Sequence, residues 1–318
     1  MASPQDGRLL ERLGRGKRPE SLGLNRTADG LVDLRGIRLA KPQPMARFRV
    51  GSGSFDYATD KPIFQSLSLS DVDLSGAFIE NSYWEACTFR RVRGERLRGR
   101  GVNFSSSKME SVSFVRADLR HASWGLDSLD GPLVSNTEFI DCDLRGSTYG
   151  HSSFRNCRWV DCNLKGANFA GARFEGCVFA GLVDEVMFHG WYRDPDPKIA
   201  NLRNPMRNVD FSRAVLKNVA FEDGIDLTTC TFPAEGYLRI PRPRAAYERA
   251  IAKVRATWSG AARDRALFYL EETVKFVPED QPLDIMRPMD FIEGAFGRDL
   301  GETTAREFVR LLEEVSKA

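Results

Sequence analysis

Residues 157–179 read CRWVDCNLKGANFAGARFEGCVF. Trp159, Leu164, Phe169, Phe174 and Phe179 fall on every fifth position, and Cys157, Cys162, Ala167, Ala172 and Cys177 stand two residues before them. A five-residue period fits neither an α-helix, at about 3.6 residues per turn, nor a strand, at about two. Traced toward the N-terminus, the beat holds back to Phe64: 24 consecutive slots, of which only Gly94 and Gly99 lack a large apolar side chain. The smaller slot two residues earlier holds residues such as Val72, Ala77, Cys87, Val112 and Cys142. Before the two glycines that slot holds Val92 and Leu97, which predicts volume compensation in a close-packed interior.

Units such as Ala117-Asp118-Leu119-Arg120-His121, Cys162-Asn163-Leu164-Lys165-Gly166 and Ala167-Asn168-Phe169-Ala170-Gly171 resemble the pentapeptide-repeat family, over residues 32–40 and 60–233. The resemblance implies an all-β right-handed quadrilateral β-helix, a solenoid with four pentads per coil. Residues 20 apart then stack, placing Phe64, Trp84, Phe104, Trp124, Leu144 and Leu164 in one inner column and making six coils of the 24 slots. Coils should rise by about 4.8 Å, and the open edges at both ends need caps.

The flanks divide the chain. Residues 1–30 are rich in Arg, Gly, Lys and Pro and read as a flexible basic segment. The β-helix is expected over 31–236, broken by a loop at about 182–208 where prolines follow Trp191 and Tyr192. Residues 237–318 read as an α-helical C-terminal module. Tyr247, Ala250, Ile251, Val254 and Trp258 share one helical face, and Thr304 with Glu307 reads as a capping box. These C-terminal helices could support a homodimer.

Composition bounds the function. Lys+Arg exceed Asp+Glu by 4 over residues 1–60, fall short by 2 over 61–236 and balance over 237–318. Such a distribution argues against direct nucleic-acid binding. With no run of about 18 apolar residues and no apolar segment near Met1, the expectation is a cytoplasmic protein without membrane contact. The six cysteines follow the repeat and not a zinc spacing. Stacking would bring Cys142 over Cys162 and Cys157 over Cys177; a reducing compartment favours free thiols there.

His121 and His151 sit on outward positions and read as solvated, with no ligand or triad spacing around them. Phosphate-cradling glycine loops and nucleophile elbows are missing from the sequence. No catalytic residue, cofactor or metal is therefore expected, and the reading is a non-enzymatic scaffold that binds a protein partner. The candidate contact residues are Arg90, Arg91, Arg93, Arg96, Arg98 and Arg100, all on outward slots, with Trp191, Tyr192 and Arg193 in the interrupting loop. Lys108, Arg116 and Arg120 would extend the arginine patch. Two alternatives stand beside this reading. Some family members bind DNA gyrase and protect it from drugs or toxins by mimicking duplex DNA with an acidic face, which the near-neutral repeat region here does not match. A ligand-binding protein or enzyme would need a pocket between the coils and the helical module.

Overall fold

A side chain that returns to the interior every fifth residue requires a corner every five residues. The computed structural model describes residues 4–39, 46–50, 53–57, 62–125, 131–191 and 203–317. The chain folds as a right-handed quadrilateral β-helix followed by a C-terminal helical region. Two compact units are formed, Met1–Asn168 and Phe169–Ala318.

In the first unit the sides are short parallel strands, many of three residues, such as Ile63–Gln65, Tyr83–Glu85 and Lys108–Glu110. Corners are made by residues with positive φ two places after each large apolar one, including Asp71, Asn81, Gly76 and Gly146. Gly, Asn and Asp tolerate that left-handed region best. Arg91, Arg96 and Arg116 also occupy it, with φ of 50–52°, at a cost on the order of 1 kcal/mol each.

Inner columns are aromatic. Phe64 stacks on Trp84 at 4.3 Å between ring centroids, Phe104 lies 4.9 Å from Trp124, and Phe139 stacks on Trp159 at 5.4 Å. The small slot does more than fill space. Ser107 and Ser147 donate their hydroxyls to the carbonyls of Trp84 and Leu119 in the preceding coil, at 2.9 and 2.8 Å. The thiols of Cys87, Cys142 and Cys162 reach Phe64, Phe114 and Phe139 in the same way. All six cysteines are free.

The expected volume compensation is present at Gly94 and Gly99. A Cβ on Gly99 would lie 3.0 Å from methyls of both Leu97 and Leu119, and one on Gly94 would lie 3.0 Å from the Phe114 ring.

The stacking register departs from a constant 20. Tyr83 pairs with Asn103 and Asn103 with Ser123, but Ser123 pairs with Thr148, 25 residues on; Thr148 then pairs with Asn168. Five additional residues therefore enter at this turn, where 126–130 lie outside the described residues. The insertion equals one repeat, so the beat stays in phase while the partners change. The inner column runs Phe64, Trp84, Phe104, Trp124 and then Tyr149, stacked on Trp124 at 5.8 Å, in place of the expected Leu144. One coil takes five of the 24 slots, so the slots fall one short of the expected six coils.

Within residues 1–30, expected to be flexible, the described residues 4–30 instead fold against the first coil. The helix Pro4–Gly14 buries Leu10 and Leu13, and Gly14 comes so close to Leu67 that a Cβ would sit 2.8 Å from its side chain. Leu10 and Leu13, three apart on one face, dock it, with Leu9 half-buried beside them. Residues Val32–Asp33 pair with Val72 and Asp73 beneath that coil. An antiparallel hairpin, Ala46–Val50 with Gly53–Tyr57, follows.

In the second unit the coils continue past 182. Strands Val178–Asp184 and Met187–His189 carry Val183 and Phe188 inward, and Val186 between them is also buried, so the expected loop starts later than Leu182. Residues 192–202 lie outside the described residues. The next coil holds Asp210–Lys217 and Ala220–Glu222, with Leu182 opposite Val215 and Phe188 opposite Phe221. Phe179, Phe211 and Phe232 stack in one column.

The helical region follows in the same unit. Helices Pro243–Thr257, Gly260–Phe276 and Glu302–Ser316 pack around Tyr247, Leu270, Phe308 and Leu312. It also contains an antiparallel ribbon, Leu238–Pro241 with Leu283–Met286, that helical periodicity did not announce. The last helix begins after Gly301, at φ 87°, with no side-chain cap, so the expected Thr304 capping box is absent. Gln281, 1% exposed, accepts a hydrogen bond from the Gly224 N–H at 3.2 Å and donates to the Phe221 carbonyl at 3.4 Å. The Asp223 N–H donates to the Phe276 carbonyl. Backbone groups on the last coil are thereby satisfied by the helical region.

Candidate functional site

The six arginines of residues 90–100 are neighbours in sequence but turn corners between them. Arg90 lies in register with Ser70, Arg93 with Asp73 and Arg98 with Phe78, which places them on three successive sides of one coil. They do not form one patch.

Four of the six are engaged by carboxylates. Arg91 binds Asp71 with two hydrogen bonds, at 2.5 and 2.7 Å, which hold the Asp71 carboxyl below its usual range. Arg90 pairs with Glu110 at 3.2 Å, Arg93 with Asp29 and Asp73, and Arg96 with Glu95 at 3.4 Å. Arg116 is drawn to Glu95 as well. Lys108 lies opposite Thr88, on the side that carries Arg90 and Glu110. The exposed pairs, of Arg90, Arg91 and Arg96, add little stability, typically up to about 1 kcal/mol each; Arg93 differs in that it reaches Asp73, which is buried. Their main effect is to cancel charge.

Arg98 and Arg100 differ. They share one side and form no ion pair among the described residues. Arg98 lies over the Phe78 ring at 4.8 Å, with Arg38 on the same ring at 3.9 Å. Along this side the lateral order is Arg38, Phe78, Arg98, Asp118, Asp143 and Asn163. Backbone hydrogen bonds align Arg100, Arg120, Arg145 and Lys165 two residues further on. Arg120 bridges Asp118 and Asp143, at 2.7 and 3.6 Å. Its hydrogen bond holds the Asp118 carboxyl below the usual range. Of the expected extensions only Arg120 belongs to this face.

The aromatic tip is partly visible. Trp191 bridges to Arg203, whose guanidinium lies 5.7 Å from the indole. Tyr192 and Arg193 lie outside the described residues.

The second unit holds the pocket that the ligand-binding alternative needs. A groove of about 420 Å³ runs between the last coil and the helices, lined by residues that include Asn218, Phe268, Tyr269, Arg287, Asp290 and Phe291. Phe268 stands 62% exposed at its edge. Its polar groups bond one another: Arg287 donates to Asp290 at 2.8 Å, and Asp290 accepts the Asn218 N–H at 2.8 Å. The groove offers apolar contact but no converging acid and base.

Sequence reasoning missed two polar clusters in this unit. His189, at the end of its strand, hydrogen-bonds Asp223 with 2.8 Å between Nδ1 and Oδ2, and lies opposite Glu222. Asp284 is buried against the Tyr247 hydroxyl, which donates to it at 2.5 Å; desolvation pushes its carboxyl up to about 6. The partners are 34 and 37 residues apart, so no short motif could reveal them. His151, expected in solvent, is only 6% exposed, and a Cβ on Gly131 would lie 2.3 Å from its carbonyl oxygen, so the chain at Gly131 packs directly against it.

The family model "Pentapeptide repeats (9 copies)" matches residues 135–178. Among solved structures, QnrB1, a plasmid-mediated fluoroquinolone resistance protein, aligns at 13% identity over 60% of this chain and 92% of its own, with a TM-score of 0.31. HetL, a pentapeptide repeat protein involved in heterocyst differentiation regulation in the cyanobacterium Nostoc, aligns at 13% identity over 74% of this chain and 98% of its own, with a TM-score of 0.29. A pentapeptide repeat protein of the Arabidopsis thaliana thylakoid lumen aligns at 19% identity over 34% of this chain and 64% of its own, with a TM-score of 0.18. No curated protein matches the sequence. Among the described residues no helix is long and apolar enough to cross a membrane.

Proposed function

The coils of this chain are pentapeptide repeats, and on that premise we propose that it acts as a non-enzymatic scaffold holding an acidic protein partner against one side of the β-helix. The observation that carries the reading is the contrast within the arginine cluster. Arg90, Arg91, Arg93 and Arg96 are neutralised by carboxylates, whereas Arg98 and Arg100 are not. Arg120 and Arg145, aligned beside them, are paired with Asp118 and Asp143, so Arg98 and Arg100 supply the basic excess that the carboxylates of this side leave over. A rigid stack of strands holds such charges at fixed spacing, which favours planar, bidentate capture of carboxylates.

A basic side argues against duplex-DNA mimicry, so gyrase is the less favoured partner. A supercoiling assay with added protein tests that reading directly. The scaffold reading is tested by partner capture from the native cell with Arg98→Glu/Arg100→Glu and, as control, Arg90→Glu/Arg91→Glu. Loss with the first pair alone, together with weaker capture at high salt, is expected. Equal capture by both variants would remove the proposal.

A further inference from the structure

We propose that His189, Glu222 and Asp223 form a binding site for a divalent transition ion of the zinc class. The strands Met187–His189 and Ala220–Glu222 pair in parallel register, which sets His189 opposite Glu222, with Asp223 next along the chain. One ligand atom from each residue lies within 4.8 Å of the others. An ion at their centre needs only small side-chain adjustments to reach bonds of about 2.0–2.2 Å.

A second observation concerns charge. The Glu222 carboxylate is only partly exposed and has neither a hydrogen bond nor an ion pair among the described residues. A half-buried carboxylate without a partner, beside a second carboxylate, is a costly arrangement that a bound cation relieves.

The backbone under these ligands is fixed. A Cβ on Gly190 would lie 2.4 Å from the Asp223 carbonyl oxygen and 2.5 Å from the Ile225 nitrogen, so the two coils touch there. The Asn204 side chain donates to the His189 carbonyl at 3.1 Å. Ligands held this way lose little freedom on binding.

The donor set selects the ion. One imidazole nitrogen with two carboxylate oxygens suits Zn²⁺ or Mn²⁺, whereas Mg²⁺ and Ca²⁺ prefer oxygen throughout. Three protein ligands leave the remaining position to water, as in open sites.

The test is calorimetric titration of the chelator-treated full chain with Zn²⁺, with Mn²⁺ and Mg²⁺ as comparators. Saturable binding of one Zn²⁺ per chain is expected, with Mg²⁺ far weaker. Glu222→Gln and His189→Gln should each weaken Zn²⁺ binding by about 10-fold or more, and Cys230→Ala should leave it unchanged. Zn²⁺ should raise the melting temperature of the parent chain and not of the Glu222→Gln protein. Absence of saturable binding overturns the proposal, and so does an affinity that neither ligand substitution alters, since the ion then sits elsewhere. A folded Glu222→Gln protein that melts at or above the metal-free parent keeps the comparison valid even if His189→Gln fails to fold.

Discussion

Leu97 replaces, from one small slot, much of the volume that Gly94 and Gly99 leave out of the core, so Leu97→Ala should cost more than an ordinary core truncation. The side chain is 1% exposed. Removing it forfeits transfer free energy of about 2.5 kcal/mol at ~0.8 per methylene. An unrelaxed cavity on the order of 60 Å³ adds about 1.5 kcal/mol. Neighbouring glycines have no side chains with which to collapse into the hole, so a total of about 4 kcal/mol is expected, toward the upper end for such changes. The geometry also predicts a rescue. In the parent, a Cβ on Gly99 would meet Leu97 and Leu119 methyls at 3.0 Å. With Leu97 truncated one of those contacts vanishes, and Gly99→Ala becomes a filler with a coupling of about 1–2 kcal/mol. Urea unfolding followed by fluorescence of the buried Trp84 and Trp124 measures both quantities. A cost for Leu97→Ala below about 1 kcal/mol, or strict additivity in the double variant, would refute the compensation argument.

Two further outcomes follow from buried polar groups. Burial raises the Asp284 carboxyl to about 6 from 3.8, so the folded chain holds a proton that the unfolded chain releases. Its contribution is full below about 3.8 and is lost as pH rises through about 6. Asp284→Asn should therefore match the parent near pH 4–5. At pH 7.5 it should exceed the parent by about 2 kcal/mol, the ~3 kcal/mol of linkage less ~1 for a weakened Tyr247 hydrogen bond. Urea midpoints across pH read this directly, and a parallel pH dependence in the two proteins would contradict it. Ser147→Ala should lower the melting temperature, at a cost of about 1 kcal/mol. Ser147→Cys should cost less, because thiols already make the same donation from Cys142 and Cys162; a larger loss with Cys would count against the ladder of small-slot donors.

The fold was legible because the interior imposes the same demand at every fifth residue, and no other architecture asks for that period. Leu97 beside two glycines was readable as compensation for the same reason. The insertion near 126–130 was not readable, because five added residues leave every side chain facing as before and change only which coil it meets. At 192–202 the excursion shifts register to 32 and 33 residues, and there the phase change betrayed it. The arginine cluster was legible residue by residue and misread as a surface: three pentads must occupy three sides of a square coil. His189, Glu222 and Asp223 come together through a register set by the length of that excursion, which no spacing rule contains.

The N-terminal helix against Leu67 has a consequence beyond local packing. A stack of parallel strands can grow by accepting identical strands from another molecule, since its terminal rung exposes the same donors and acceptors that bind its own next turn. Docking Leu10 and Leu13 over that rung makes the stack self-terminating. Proteolytic trimming before residue 24 would uncover that rung alone, the last coil being covered by the helical region, so the expected product is a head-to-head pair of chains and not a growing filament.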